Sequence, residues 1–149
     1  MNSNTVNRIE SEILEFCNNP AASYTAGITS SLFEWTANIL GPPGSPYEGG
    51  VFFLDIRLPD NYPYECPKVL FRTRIYHCNI NCRGEIYSSL LNGNWTSDLS
   101  VSDILSEIHD MLVHPNLDLP LVLNVRDEYV NNRELFNEKA KEWTKRFAS

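Results

Sequence analysis

Positive charge is scarce in this sequence. Twelve lysines and arginines stand against nineteen aspartates and glutamates, a formal charge of -7. A protein that grips phosphates gathers lysine and arginine on one surface. The deficit removes nucleic acid from the expected partners, and anionic membrane surfaces with it. Long apolar runs are missing too: no stretch reaches the ~20 apolar residues that span a bilayer. Met1–Asn7 has neither the basic start nor the apolar run of a secretory signal. The expected location is therefore the cytosol, the nucleus or both. Cysteine is limited to Cys17, Cys66, Cys78 and Cys82, which in a reducing compartment are expected as free thiols.

What is present suits one domain, residues 1–149, with one core: 42% of residues are hydrophobic and the aromatics are spread along the chain. Val6, Ile9, Ile13, Phe16 and Cys17 fall at helical spacing and predict a helix over 5–17. Asn4 or Thr5 would cap it, and Asn18, Asn19 and Pro20 would end it. Phe33, Trp35, Ala37 and Ile39 alternate with Glu34, Thr36 and Asn38, the period of a half-buried strand. A turn at 41–44 leads to a second strand, 51–58, and the turn-rich 60–67 to a third, 68–71. Short connections make an antiparallel meander the natural pairing.

Residues 73–99 show no periodicity and carry Asn79, Asn81, Gly84, Asn92, Gly93 and Asn94. Long irregular stretches in compact domains are often functional. A central helix follows, with Val101, Ile104, Leu105, Ile108, Met111 and Leu112 on one face. Ser100 and Asp103 are spaced as a capping box, and His114-Pro115-Asn116 stops the helix. Asn131 or Asn132 caps a last helix that turns Leu135, Phe136, Ala140, Trp143 and Phe147 inward. The class is α+β.

Residue chemistry alone points to no reaction. His77, Cys78 and Cys82, with Cys66 as a fourth ligand, raise zinc, but one C-x3-C pair lacks the second pair of a structural site. No metal and no cofactor is expected. His77 and Cys78 are adjacent and face opposite sides of an extended chain, so they form no nucleophile pair. His114 suits the negative end of a helix, and Asp118, after a Pro-Asn turn, suits a turn.

Longer motifs carry a resemblance. Ser45-Pro46-Tyr47-Glu48-Gly49-Gly50-Val51-Phe52 and Tyr62-Pro63-Tyr64-Glu65-Cys66-Pro67-Lys68 resemble the strand-turn signature and the proline-rich turn of ubiquitin-conjugating enzymes. The segment from Thr73 to Asn81 resembles the stretch holding their His-Pro-Asn motif; Leu119-Pro120-Leu121 and Glu142-Trp143-Thr144 match near the C-terminus. The resemblance runs from about Arg8 to the end. It implies the UBC fold: a four-stranded antiparallel meander flanked by an N-terminal helix, a central helix and C-terminal helices.

Enzymes of that family carry ubiquitin as a thioester on a cysteine that follows Gly-x-Ile, eight residues after the motif asparagine. Here the asparagine is Asn79, the tripeptide is Gly84-Glu85-Ile86, and Tyr87 stands at the implied nucleophile position. A phenol has a pKa of ~10 against ~8.5 for a thiol, so it is less ionised near neutrality. A tyrosyl ester would also be a different leaving group on a bulkier arm. Other departures accompany it. Cys78 replaces the motif proline and is expected to loosen the turn that sets Asn79. Asn79 itself keeps the position at which the family stabilises an oxyanion. Ser88-Ser89 replace Leu-Asp, Leu119 stands at an acidic gate position beside Asp118, and Ser106 replaces a leucine that packs donor ubiquitin.

The resemblance also implies partner surfaces. Tyr64 and Trp95 keep aromatics at the ligase-binding face, where Thr96-Ser97-Asp98 replaces Ser-Pro-Ala. The first helix, basic in the family, carries Glu10, Glu12 and Glu15 beside Arg8, a charge that opposes the usual encounter with the activating enzyme. Thr25 falls where some members bind a second ubiquitin. The expected function is a catalytically inactive binding variant for ubiquitin, a RING-type ligase or an active conjugating enzyme. The alternative is an enzyme charged on a displaced thiol, Cys82 or Cys78.

Overall fold

In the computed structural model, which describes residues 3–19 and 23–149, the order is α1 (Ser3–Asn18), β1 (Tyr24–Ser31), β2 (Glu34–Leu40), β3 (Val51–Arg57), β4 (Lys68–Phe71), α2 (Val101–Val113), α3 (Leu123–Asn131) and α4 (Arg133–Phe147). The four strands form one antiparallel sheet in chain order. The meander and the α+β class read from the sequence are what the chain adopts. Pro20, expected to help end α1, lies outside the described residues, and Asn4 and Thr5 lie within the helix rather than capping it.

The alternation of β2 and β3 builds one side of the core. Trp35, Ala37 and Ile39 point inward opposite Ile56, Leu54 and Phe52, and β4 continues the layer with Val69 opposite Ile56 and Phe71 opposite Leu54. The buried face of α2 (Val101, Ile104, Leu105, Ile108, Met111 and Leu112) joins the same apolar cluster. Truncating a fully buried side chain such as Phe52 to alanine would cost about 3–5 kcal/mol.

The caps follow the sequence. Ser100 Oγ accepts from Asp103 N at 3.2 Å, and Asp103 Oδ2 accepts from Ser100 N at 2.9 Å. Asn132 Oδ1 accepts from Leu135 N at the start of α4. Three α4 expectations need correcting. Leu135 and Phe147 are exposed, and Trp143 is only half buried, so the buried stripe is Phe136, Ala140 and Thr144.

Candidate functional site

The stretch without periodicity is an ordered loop around a short hairpin. Ile80 pairs with Ile86 in antiparallel fashion. Gly84 N donates to Asn81 O at 3.0 Å, so Cys82 and Arg83 occupy the tip. Gly84 is required there: its φ is +82°, and a Cβ would lie 2.1 Å from Phe71 O. One step further back, Tyr87 N donates to Asn79 O at 2.8 Å. Tyr87 is half buried, with its backbone fixed opposite Asn79.

Asn79 is fully buried, 0% exposed, and its side chain is spent inside the protein. Nδ2 donates to Asn116 O at 2.9 Å and to Leu119 O at 3.4 Å, while Oδ1 accepts from Asn116 N at 2.9 Å. Its own N–H donates to His77 Nδ1 at 3.0 Å, and the other ring nitrogen, Nε2, bonds Met111 O at 2.8 Å. A neutral imidazole with its proton on Nε2 satisfies both bonds. Burial pushes the His77 pKa down to about 4. The turn that carries Cys78 is tied to the next segment through its main chain: Cys78 O accepts from Leu121 N at 2.8 Å and Val122 N at 3.0 Å. The carboxamide expected from the resemblance to act as an oxyanion donor ties the 77–80 turn to the segment holding Asn116 and Leu119.

The thiols divide sharply. Cys78 is 2% exposed, its Sγ donates to Asn79 Oδ1, and desolvation raises its pKa to about 11. A displaced-nucleophile role for Cys78 meets a buried, protonated sulfur. Cys82 is exposed at the hairpin tip. Three residues of extended chain, about 10 Å at 3.3 Å each, separate it from the pairing of Asn79 with Tyr87. Cys66 is partly buried, and burial raises its pKa as well.

After Tyr87 the chain is clamped by α2. Glu107 accepts from Ser88 Oγ at 2.7 Å and Leu90 N at 3.2 Å, and also from Ser89 Oγ. The two serines read as departures from Leu-Asp are therefore the hydroxyls that fix this loop; nothing in the sequence spacing linked them to Glu107, nineteen and eighteen residues on. On the rim, Leu119 is 54% exposed, and Asp118 and Ser106 are exposed.

The partner-face residues gather at the other end of the loop. Trp95 Nε1 donates to Pro63 O at 2.7 Å, and the Trp95 and Tyr62 ring centroids lie 5.9 Å apart. Arg8 Nη1 reaches Ser97 O at 2.9 Å, and Nη2 reaches Leu99 O. Near this frame Tyr64 is 71% exposed, and Asp98 is exposed as well. Glu12 needs correcting as a partner residue. It is 9% exposed, accepting from Tyr62 OH at 2.5 Å, Arg8 Nε at 2.8 Å and Val101 N at 2.9 Å. Its carboxylate joins α1 to the start of α2, which leaves Glu10 and Glu15 as the exposed acids of the helix. Thr25 lies exposed on β1, paired with Asn38. Among the described residues, no three His, Cys, Asp or Glu side chains converge as a metal would require, and no helix is long and apolar enough to cross a membrane.

The sequence profile of the family described as "Ubiquitin-conjugating enzyme" matches residues 8–144. The chain belongs to the ubiquitin-conjugating enzyme family. Solved structures agree with that membership. A Plasmodium yoelii protein assigned as a ubiquitin conjugating enzyme is 37% identical, with a TM-score of 0.94 over 100% of this chain and 98% of its own. The ubiquitin conjugating enzyme domain of a Toxoplasma gondii protein is 35% identical, with a TM-score of 0.90 over 97% of this chain and 99% of its own. The four-stranded sheet with its flanking helices is the family's fold, and the chain is a ubiquitin-conjugating-enzyme-like protein of the ubiquitin pathway.

Proposed function

We propose that this member of the family is a binding variant that carries no ubiquitin thioester. The observation that carries the reading is Tyr87, standing where the resemblance implies the nucleophilic cysteine, with its N–H bonded to Asn79 O at 2.8 Å. A phenol there offers little nucleophile near neutral pH. Neither nearby thiol replaces it well, since Cys78 is buried with a raised pKa and Cys82 sits about 10 Å along the hairpin. The exposed Tyr64, braced by Trp95 and Arg8, supports a retained surface for a RING-type ligase, and the exposed sheet face around Thr25 supports one for ubiquitin. The acids Glu10 and Glu15 on α1 oppose an encounter with the activating enzyme if that partner is matched to a basic helix. The cytosol and nucleus are where such partners would be met.

The second reading keeps the chemistry and moves it to Cys82; its support is the exposure of that thiol. One assay separates the two. The chain is mixed with activating enzyme, ATP and labelled ubiquitin and run on a non-reducing gel. The expected result is no reductant-sensitive adduct. An adduct that disappears in Cys82→Ser would establish the second reading and end the first.

A further inference from the structure

A cavity of about 250 Å³ opens on the outer side of the 80–86 hairpin, away from Tyr87's pairing with Asn79 and bounded by the 71–77 segment, the start of α3 and α4. Its walls are mostly apolar: Ile75, Ile80, Val122 and Val125 contribute, and Trp143 lines the side formed by α4. Its polar lining mixes neutral side chains (Thr73, Tyr76, Asn81 and Asn124 among them) with the donors Arg72, Arg74 and Trp143. No aspartate or glutamate lines it, although the chain carries nineteen. Arg72 is at the rim but committed elsewhere, to Asp55 at 2.7 Å and Thr36 Oγ1 at 2.6 Å. Arg74 is different. It is exposed, and among the described residues it has no ion pair and no hydrogen bond. Its guanidinium carbon lies 5.7 Å from the Phe147 ring centroid. The Trp143 indole N–H also donates to no acceptor among the described residues, whereas Trp35 and Trp95 each donate to a carbonyl. An apolar cavity edged by an uncompensated cation and an unused N–H is complementary to an apolar molecule with an anionic end.

We propose that this cavity binds a small apolar carboxylate, its hydrocarbon body against Val122, Val125 and Ile80 and its carboxylate on Arg74. Size sets the class: a cavity of about 150 Å³ holds one benzene ring, so this one takes a ring with a short acid arm, about ten heavy atoms.

Two thiols make the test internal to one protein. Cys82 lines the cavity, and Cys17, exposed at the end of α1, does not. The native chain is alkylated with iodoacetamide in the presence of 3-phenylpropionate or its uncharged amide, 3-phenylpropanamide, and each cysteine is followed by peptide mass spectrometry. The acid is expected to slow Cys82 at least threefold at saturation without affecting Cys17. The amide should need about tenfold more ligand for the same protection, the worth of one charge-assisted hydrogen bond. Arg74→Ala, checked for an unchanged urea midpoint, should bring the acid to the amide's level. Equal protection by acid and amide, equal slowing of both cysteines, no protection at all, or an Arg74→Ala protein that binds the acid as before would each overturn the proposal. The acid-amide comparison stands on the unaltered chain if the variant folds poorly.

Discussion

Asn79 and Asn116 are bonded to each other twice. The Asn79 carboxamide donates to Asn116 O and accepts from Asn116 N, both at 2.9 Å. The pair closes the turn after α2 onto the 77–80 turn, so the residue read from sequence as an oxyanion donor holds the architecture of the loop.

Removing that amide should therefore show in stability before it shows in any reaction. Asn79→Ala is expected to lower the unfolding free energy by about 2–4 kcal/mol, for the lost side-chain bonds to Asn116 and Leu119 at a buried site. Asn79→Asp should cost more at pH 7, because it places a charge at a position 0% exposed. Urea denaturation measures both. Midpoints equal to the parent's would mean that the clasp contributes nothing.

Glu12 offers a second case of a surface expectation turned inward. Its carboxylate accepts from Tyr62 OH, Arg8 Nε and Val101 N. Tyr62→Phe should cost about 1–2 kcal/mol, and Glu12→Ala about 3 kcal/mol, since it strands the donors around it. A double-mutant cycle should return a coupling of about 1–2 kcal/mol. Additive costs would show that the phenol and the carboxylate do not stabilise one another.

These two residues show what a sequence reading can reach. β2 and β3 were legible because Trp35, Ala37 and Ile39, and then Phe52, Leu54 and Ile56, alternate against a buried layer. α2 was legible because its apolar face repeats and its capping box is local. β1 left no such trace: Tyr24–Ser31 is an edge strand, mostly exposed, so its residues are free to be glycine, serine and threonine. α3 buries only Val125 and gives no stripe. The site was legible only where residues are neighbours in the chain. Glu12 with Tyr62, Glu107 with Ser88 and Asn79 with Asn116 meet across 50, 19 and 37 positions, and no periodicity encodes such meetings. The acids of α1 look alike in sequence, and only burial separates Glu12 from Glu10 and Glu15.

His77 should make the fold sensitive to mild acid. Its folded pKa is about 4 against the usual 6.5, because burial disfavours the charged ring. Above pH 6.5 both folded and unfolded chains hold it neutral, and its contribution is fully present. As the pH falls from 6.5 toward 4, only the unfolded chain takes up the proton, and about 3 kcal/mol is lost across that window. Urea midpoints from pH 7.5 to 4.5 should fall accordingly, and His77→Gln should flatten the slope between 6.5 and 4.5. A parent and variant with parallel profiles would remove His77 as the cause.

On the proposed reading, a cysteine at position 87 alone should not give an ordinary enzyme. Tyr87→Cys would supply a thiol at the position the resemblance implies for the nucleophile, but it leaves Ser88, Ser89 and Leu90 clamped on Glu107, the exposed Leu119 unchanged, and acidic α1 residues facing solvent. The expected outcome is weak charging, and chain synthesis at least about a hundredfold below an active family member, the equivalent of a few kcal/mol in the barrier. Chain synthesis at the rate of an active member would show that Tyr87 was the one obstacle.

The four thiols should react in an order that reports this geometry directly. Cys17 and Cys82 are exposed, Cys66 is partly buried with a raised pKa, and Cys78 is buried with its pKa raised to about 11. Thiolate is the reacting form, so burial slows Cys78 twice, by access and by ionisation. In native protein at pH 7.5, a disulfide reagent such as DTNB should label Cys17 and Cys82 rapidly and Cys66 slowly. Cys78 should react only as the chain opens, with a rate that rises with urea in step with unfolding. If Cys78 instead reacts at the rate of Cys82 in the native state, the turn at 77–80 opens without unfolding. The buried sulfur would then return as a nucleophile for ubiquitin, within reach of Asn79.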